Sequence, residues 1–307
     1  MKLRYSGSKP HFRALPWLGR SHSIPNVSIS AGQTTGHPFK VASAGLTDVG
    51  RKRDHNEDSY LIDDELQLYV VADGMGGHAG GGTASRIAVE TIDRELKSAR
   101  ASSEDPFRAD VPLQDSPLPD AIRNAVGSAC QAIFTAAQED PRLAGMGTTV
   151  IALLVKGDQA FFAHVGDSRA YLIRGELIQQ ISEDHSLVNE QIKAGMITPE
   201  EAKHSRYKNI ITRSVGFEEE VQVDVMGLLS EPGDVFVLCS DGMANMMEDA
   251  EILHIVRHHP LTEVPRTLVD LANERGGDDN ITVIAVQIQA ESVPVVASAT
   301  TGEHAAV

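Results

Sequence analysis

Hydrophobic and polar residues follow strand-like patterns in several short segments of the chain. Residues 66–72 alternate and then become wholly apolar before Asp73, as in a strand that enters a sheet and ends at a turn. Between residues 148 and 178, short apolar runs are separated by turns that contain Gly and Asp, which predicts an antiparallel meander. Further apolar runs predict strands at residues 221–225, 235–239 and 281–288.

Apolar residues recur at helical spacing in two other segments. Residues 84–96 and 121–137 are each predicted to form an amphipathic helix. The segment between them contains prolines at positions 106, 112, 117 and 119, which favours an exposed connecting loop. Because the strands cluster in blocks and the helices lie between those blocks, the chain is predicted to be an α+β layered sandwich rather than a parallel βαβ sheet.

One large domain with a tail at each end is the predicted organisation. A chain of 307 residues with 41% hydrophobic content can bury a substantial core. Residues 1–40 and 291–307 show no periodicity, and both segments are predicted to be disordered tails. The folded domain is therefore expected at residues 41–290.

The charge balance argues against two classes of partner. The formal net charge is -16, whereas nucleic acid and anionic membranes both require a basic surface. No stretch approaches the ~20 apolar residues of a membrane span. The chain has two cysteines, and Cys239 lies in a predicted buried strand, which fits a reducing compartment. We expect a monomeric, cytoplasmic protein that binds neither nucleic acid nor membrane.

Four acidic clusters lie far apart along the chain, and each has small or flexible neighbours. They are Asn56-Glu57-Asp58, Asp73-Gly74-Met75-Gly76-Gly77, Ser240-Asp241-Gly242 and Asp278-Asp279-Asn280. Carboxylates that share one site repel one another unless cations lie between them. If the fold brings these clusters together, bound divalent metal is the simplest explanation for them.

Three of the acidic residues lie at predicted strand ends, which favours a common rim. Asp73 and Asp241 follow apolar strands, and Asp279 shortly precedes one. Taken alone, the Asp73-Gly74 pair is equally typical of an ordinary hairpin turn, and only the recurrence favours a metal site. Oxygen ligands without a His or Cys cluster favour Mg²⁺ or Mn²⁺ over Zn²⁺ or copper. Two such ions can activate a water for attack on phosphorus, so phosphoester hydrolysis is predicted.

Two further charged residues have both a functional and an ordinary interpretation. Arg53 lies four residues before Glu57, and its guanidinium could hold two phosphate oxygens, but it could also be a solvated member of the basic run 51–53. Asp167 lies in a Gly-Asp-Ser turn between two predicted strands, where it could be an ordinary turn residue. Asp167 becomes a candidate ligand only by association with the other acidic residues.

The histidines do not identify a proton donor. His78 follows the glycine-rich turn and could protonate a leaving alkoxide, or it could be an exposed loop residue with no role. His185 and His204 lie in a polar segment with helical character, and neither receives a catalytic assignment.

Seven segments together resemble motifs of one enzyme family, in the order in which that family has them. They are residues 50–58, 71–77, 145–149, 165–169, 182–186, 238–242 and 278–282. The family is the metal-dependent serine/threonine protein phosphatases, called PPM or 2C type, in their bacterial branch. The resemblance spans about residues 40–290 and does not include the two tails.

The resemblance implies a fold and a two-metal centre. The fold is an αββα sandwich, in which two antiparallel sheets are flanked by helical pairs. Asp73 corresponds to the carboxylate that bridges both metals. Asp241 and Asp279 complete one metal site, and Glu57 with the Gly74 carbonyl serves the other.

Further roles follow from the same resemblance. Asp58 acts through metal-bound water, Arg53 holds the phosphate, and Asp167 with Asp241 forms a weaker third metal site. Residues 185–216 correspond to a flap beside the substrate groove, and substrate choice is expected there. The stretch 145–149 is implied to be structural and to lie near the site.

One departure from the family concerns proton delivery. Animal members have a candidate general-acid histidine two residues after the bridging aspartate, whereas this chain has Met75 at that position. His78 and metal-bound water are therefore the two candidates.

The predicted function is hydrolysis of phosphoserine and phosphothreonine on intracellular proteins by attack of a metal-bridging water. Such an enzyme would oppose a bacterial serine/threonine kinase. The alternative is a catalytically silent module that binds phosphoproteins for regulation. Loss of a metal-bridging carboxylate would mark that alternative, and no such loss is visible in the sequence. A metal-dependent nuclease conflicts with the acidic charge balance.

Overall fold

Two antiparallel β-sheets form the centre of the protein in the computed structural model, which describes residues 39–76, 80–108 and 110–290. The strands of this part of the chain are β1 (Phe39–Asp48), β2 (Asp58–Asp63), β3 (Leu68–Met75), β4 (Gly147–Thr148), β5 (Val150–Lys156), β6 (Gln159–Val165), β7 (Arg169–Arg174), β8 (Leu177–Gln180), β9 (Asp224–Leu229), β10 (Val235–Cys239) and β11 (Ile281–Ala290). The α-helices are α1 (Gly80–Ala101), α2 (Leu118–Glu139), α3 (Leu187–Lys193), α4 (Pro199–Lys203), α5 (Asp241–Ala244), α6 (Asp249–His258) and α7 (Val264–Glu274).

The strands divide into two sheets that are each antiparallel throughout. The first sheet has the order β1-β11-β10-β7-β8, and the second has the order β2-β3-β5-β6-β9, with β4 paired to β3. The strands predicted between residues 148 and 178 are present, but they do not form one meander: β5 and β6 pair in the second sheet, and β7 and β8 pair in the first. The turn at residues 166–168 therefore passes from one sheet to the other.

Alternating side chains of one strand show how the layers are built. In β3, Leu68 and Val70 belong to the core between this sheet and the helices, whereas Tyr69 and Val71 belong to the core between the two sheets. Successive residues of a strand point to opposite faces, so a strand that is apolar on both faces is buried from both sides. Between the sheets, the rings of Phe162 and Phe236 meet edge to face with centroids 5.4 Å apart.

Helices cover the outer face of each sheet. Ile92 of α1 and Ile122 of α2 belong to the core outside the second sheet. Ile252 of α6 and Leu268 of α7 belong to the core outside the first sheet, together with residues of α5. The layers therefore run helix, sheet, sheet, helix. This confirms the predicted α+β fold, an αββα sandwich, and the predicted helices at residues 84–96 and 121–137.

Strand β9 and helices α6 and α7 differ from the expectation. The strand predicted at residues 221–225 is misplaced, because β9 runs from Asp224 to Leu229. Its register on β6 pairs Gln159 with Leu229 and His164 with Asp224, so the neighbouring strand decides which residues form the ladder. Helices α6 and α7 were not predicted. Apolar residues at 264, 268 and 271 are the helical signal that could have revealed α7.

The predicted boundaries can be compared only in part with the structure. Strand β1 begins at Phe39, two residues before the predicted start of the domain. The remaining residues of the two predicted tails, and His78, lie outside the described residues. Within the described part, no helix is long and apolar enough to cross a membrane.

Candidate metal centre

A polar pocket of about 400 Å³ opens at the edge of the sandwich where several strand ends meet. The predicted site residues that line it are Arg53, Glu57, Asp73, Gly74, Asp167, Asp241 and Asp279. They come from five separate stretches of the chain, so the fold places residues that are distant in sequence on the wall of one pocket. Asp58 is the one described candidate that does not line the pocket.

Asp73 lies at the end of β3, and neighbouring residues hold its backbone on both sides. Its carbonyl oxygen accepts hydrogen bonds from the Thr149 backbone N–H and the Thr148 hydroxyl, both at 2.8 Å. Its N–H donates to Thr149 Oγ1 at 3.0 Å. Asp58, the first residue of β2, is its direct partner across the antiparallel pair. The position of the Asp73 side chain is therefore determined by the sheet.

Asp58 is buried behind the pocket and receives two hydroxyl hydrogen bonds. Ser240 and Thr282 both donate to its Oδ2, at 2.9 and 2.6 Å. Its Oδ1 is buried without a hydrogen-bond partner among the described residues. Burial raises the pKa of Asp58 to about 7, although the two hydroxyl hydrogen bonds oppose this shift. Asp58 therefore connects β2 to the two strands that carry Asp241 and Asp279.

Asp241 and Asp279 reach the pocket from the ends of neighbouring strands. Asp241 follows β10 and is the first residue of α5, and its Oδ1 is buried without a partner among the described residues. Asp279 precedes β11 and accepts a hydrogen bond from Arg53 Nη2 at 2.7 Å. This hydrogen bond raises the pKa of Arg53 above its ordinary value. The Arg53 side chain remains half exposed at the pocket.

Gly74 occupies a position with no room for a side chain. A Cβ at this residue would contact the carbonyl oxygen of Gly81 in α1 and would lie 2.6 Å from the carbonyl oxygen of Glu57. The Gly74 N–H donates to the same Glu57 oxygen at 3.2 Å. Glycine is therefore required because three backbone segments meet here.

Asn280 is a positioning residue that sequence reasoning left without a role. Its Oδ1 accepts from the Glu57 N–H at 2.7 Å, and its Nδ2 donates to the carbonyls of Val49 and His55, both at 2.9 Å. The side chain is buried and fixes the loop that carries Glu57. A polar amide directly before a wholly apolar strand was the available signal.

The carboxylates raise one another's pKa values. The pKa of Asp73 lies well above its ordinary range because of burial and because of repulsion from Asp58 and Asp241. The pKa of Asp167 rises to about 7, again through burial first and then through Asp241. Burial and repulsion by Asp279 raise the pKa of Asp241. A cation in this pocket would relieve the repulsion and favour the charged carboxylates.

The donor atoms fit a hard divalent cation. The acidic side chains and the backbone around Gly74 offer oxygen, which Mg²⁺ and Mn²⁺ prefer. The unpartnered buried oxygens of Asp58 and Asp241 show that hydrogen bonds within the described protein do not satisfy the site. Among the described residues, no three or more His, Cys, Asp or Glu side chains converge as a closed ligand cluster. What the acidic side chains share is the wall of the pocket.

A segment between β8 and β9, residues 185–216, forms another side of the pocket; we call it the flap. Asn209 and Ile211 of the flap line the pocket. The flap is attached next to Asp167, because the His185 N–H donates to the Gly166 carbonyl at 2.8 Å and the Gly166 N–H donates to His185 Nδ1 at 3.0 Å. The position of the flap is thereby linked to a predicted site residue.

A second histidine packs beneath the flap attachment. The ring of His164 in β6 stacks on the ring of His185 with centroids 4.8 Å apart. His164 is only 1% exposed, and its Nε2 has no partner among the described residues. Burial and then the neighbouring His185 lower the pKa of His164 to about 3. The folded protein therefore holds this imidazole in its neutral form.

The depressed pKa of His164 predicts a loss of stability in acid. The unfolded chain protonates this histidine below pH ~6.5, whereas the folded protein does so only near pH 3, so stability is lost as the pH falls between these values. Between pH 7 and pH 5 the expected loss is about 2 kcal/mol. His164→Phe keeps an aromatic ring but does not titrate, so urea denaturation should show a shallower pH dependence for this variant. His204→Gln, at an exposed histidine, is the control. Equal slopes for His164→Phe and the wild type would contradict the prediction.

Comparison with known proteins agrees with this architecture. The family model described as Protein phosphatase 2C matches residues 50–279. Protein phosphatase PhpP of Streptococcus pneumoniae serotype 2 (strain D39) is 40% identical over 250 residues, which is 80% of this chain and 97% of PhpP. The chain belongs to the protein phosphatase 2C family. The predicted family and enzyme class, a metal-dependent serine/threonine protein phosphatase, are thereby confirmed.

Solved structures show the same fold. The Mycobacterium tuberculosis serine/threonine phosphatase PstP/Ppp superposes with a TM-score of 0.72 at 32% identity, covering 81% of this chain and 99% of that one. The catalytic domain of PstP in complex with two manganese ions superposes with a TM-score of 0.70 at 33% identity, covering 82% and 99%. The two manganese ions in that relative agree with the hard-cation chemistry of the pocket described here.

Proposed function

We propose that the protein removes phosphate from serine and threonine residues of cytoplasmic phosphoproteins, with two Mn²⁺ or Mg²⁺ ions in the acidic pocket, and that it opposes a serine/threonine kinase. The observation that carries the proposal is that Glu57, Asp73, Asp167, Asp241 and Asp279 line the wall of one pocket together with Arg53. When bound, the ions would neutralise the carboxylates and supply Lewis-acid activation of water and of the phosphoryl group.

Each acidic residue has a proposed place around the ions. Asp73 would hold both ions, Asp241 and Asp279 would complete one site, and Glu57 with the Gly74 carbonyl would complete the other. All five residues line the pocket, which supports this assignment. The sheet and the Asn280 amide fix Asp73 and Glu57 before any ligand binds, so little reorganisation is needed.

Two further acidic residues have supporting roles in the proposal. Asp167 lies on the pocket wall and would hold a weaker third ion together with Asp241. Asp58 lies behind the wall, where Ser240 and Thr282 orient its carboxylate. Its unpartnered Oδ1 could accept a hydrogen bond from a water near an ion, rather than contact the ion directly.

Arg53 would hold the phosphate group of the substrate. It is the one cationic side chain among the described residues that line the pocket. The hydrogen bond to Asp279 uses Nη2 and fixes the guanidinium at the pocket, while the other N–H groups have no partner in the described part of the chain. A guanidinium can donate two parallel hydrogen bonds to phosphate oxygens. Proton delivery to the leaving group stays assigned to His78 or water.

The proposal is tested by phosphate release from a phosphothreonine peptide. We expect activity with Mn²⁺ or Mg²⁺, loss of activity with EDTA, and recovery when Mn²⁺ is restored. Calorimetry could instead show phosphopeptide binding without any phosphate release at saturating Mn²⁺. That result would overturn the proposed enzyme activity and would favour the alternative of a silent binding module.

The role of Arg53 gives a separate prediction. Arg53→Ala should lower kcat/KM for the peptide by about 10- to 100-fold, because a charge-assisted hydrogen bond to phosphate contributes about 1.5–3 kcal/mol. Lys52→Ala changes the neighbouring exposed cation of the same basic run and should leave kcat/KM within twofold of the wild type. Equal effects of the two changes would show that Arg53 is only a solvated member of that run.

A further inference from the structure

Some polar side chains on the pocket wall already make hydrogen bonds within the protein, and others do not. Thr149 accepts from the Asp73 N–H and shares a hydrogen bond of 2.7 Å with Ser168, and Asn280 makes three hydrogen bonds to the protein. The side chain of Asn209 has no hydrogen-bond partner among the described residues, although it lines the same pocket. Its amide is therefore available to a substrate.

Backbone hydrogen bonds attach the chain next to Asn209 to the acidic wall. Asn209 ends a turn of the flap, and the next residues are fixed: the Leu187 N–H donates to the Ile210 carbonyl and the Thr212 N–H donates to the His185 carbonyl, both at 2.8 Å. His185 is itself bonded to Gly166, beside Asp167. The attachment thus extends from the pocket wall to Asn209 through backbone hydrogen bonds.

Exposure and chemistry distinguish Asn209 from the groups deeper in the pocket. Asn209 is exposed, whereas Asp73, Asp167 and Asp241 are partly buried, so Asn209 lies at the mouth of the pocket. A carboxamide carries no charge, and it offers two N–H donors and one acceptor oxygen. This combination matches the C=O and N–H groups of a peptide backbone better than it matches a phosphate dianion, which Arg53 already serves.

We propose that Asn209 hydrogen-bonds the main chain of the phosphoprotein substrate next to the phosphorylated residue. The proposal rests on the proposed phosphatase function and adds a specificity determinant to it. Asn209 would favour a phosphorylated peptide over a small phosphate ester, because only the peptide supplies backbone groups at the pocket mouth. Through Asn209, the flap would recognise the substrate main chain and would not contact the phosphoryl group.

The test compares two substrates with the Mn²⁺-loaded full chain. Asn209→Ala should lower kcat/KM for a phosphothreonine peptide by about five- to tenfold, mainly through KM, as expected for one lost hydrogen bond. The kcat/KM for para-nitrophenyl phosphate should stay within twofold of the wild type. Asn124→Ala removes an exposed asparagine from α2 on the outer helical layer and should change neither value. The melting temperature of Asn209→Ala should equal that of the wild type.

The outcomes separate this inference from the proposed function. A peptide-specific loss supports the main-chain contact. Equal losses on both substrates would overturn it, because Asn209 would then act on the phosphoryl group or on the integrity of the site. No loss on either substrate would overturn it as well. A wild-type protein that is inactive on both substrates would refute the phosphatase function itself.

Discussion

Replacing Asp73 by asparagine is expected to lower kcat/KM for a phosphothreonine peptide by at least ~10³-fold. An amide carries no charge and binds a hard cation weakly, and a two-metal site contributes several kcal/mol of transition-state stabilisation. Asp73 lines the pocket, and repulsion from Asp58 and Asp241 contributes to its raised pKa. Phosphate release gives the activity, and calorimetric titration with Mn²⁺ should show weakened binding.

The same substitution should stabilise the metal-free protein. The pKa of Asp73 is higher in the folded protein than in the unfolded chain. Folding is therefore favoured by protonated Asp73, and this contribution to stability is lost as the pH rises above the ordinary aspartate pKa towards neutrality. A neutral asparagine removes that penalty. In EDTA, Asp73→Asn should therefore melt above the wild type at pH 7, and the difference should shrink near pH 3.

A control variant makes the result for Asp73 specific. Asp115→Asn changes an exposed aspartate in a short 3₁₀ turn away from the pocket, and it should alter neither activity nor Mn²⁺ affinity. If Asp73→Asn kept activity within tenfold of the wild type, or bound Mn²⁺ as tightly, the assignment of Asp73 as the shared ligand would be wrong.

Gly74→Ala should also damage the enzyme, through backbone displacement rather than charge. The new Cβ would meet two carbonyl oxygens, of Gly81 and Glu57, and neither is the flexible end of a side chain. Overpacking of this kind costs about 1–3 kcal/mol of stability. A displacement of about 1 Å at a catalytic site can lower activity about 10²-fold. We expect effects of these sizes in urea denaturation and in phosphate release.

Gly127 provides the matched control for this substitution. It lies within α2, and a Cβ there would have no neighbour within 4 Å. Gly127→Ala should keep full activity and gain about 0.5–1 kcal/mol of stability, because alanine favours helix. Wild-type activity in Gly74→Ala would mean that the close approach of the three backbone segments is not needed for the site.

The candidate site was largely predictable because acidic residues next to glycine or a strand end have a recognisable local pattern. Asp73, Asp241 and Asp279 all lie at strand ends and all line the pocket, as expected from that pattern. Asp58, which the resemblance implied to act through metal-bound water, does not line the pocket, and its carboxylate accepts hydrogen bonds from Ser240 and Thr282.

Residues that position the site were harder to predict. Asn280 and Thr149 act through hydrogen bonds to segments that are more than 70 positions away in sequence. The free amide of Asn209 has no motif-like chemistry, and only the attachment of the flap brings it to the pocket. No local pattern contains information about such partners, because the partner is chosen by the packing of distant elements.

The sequence by itself determined the strand and helix types, the layered α+β class and the acidic, glycine-flanked clusters, because burial and backbone freedom act on neighbouring residues. Only the tertiary structure decided which strands belong to which sheet, which side chains share the pocket and which amide on its wall lacks a hydrogen-bond partner among the described residues. These depend on contacts between residues far apart in the chain. The raised pKa values of Asp73 and Asp167 arise in the same way, from burial and from charges that only the fold places close together.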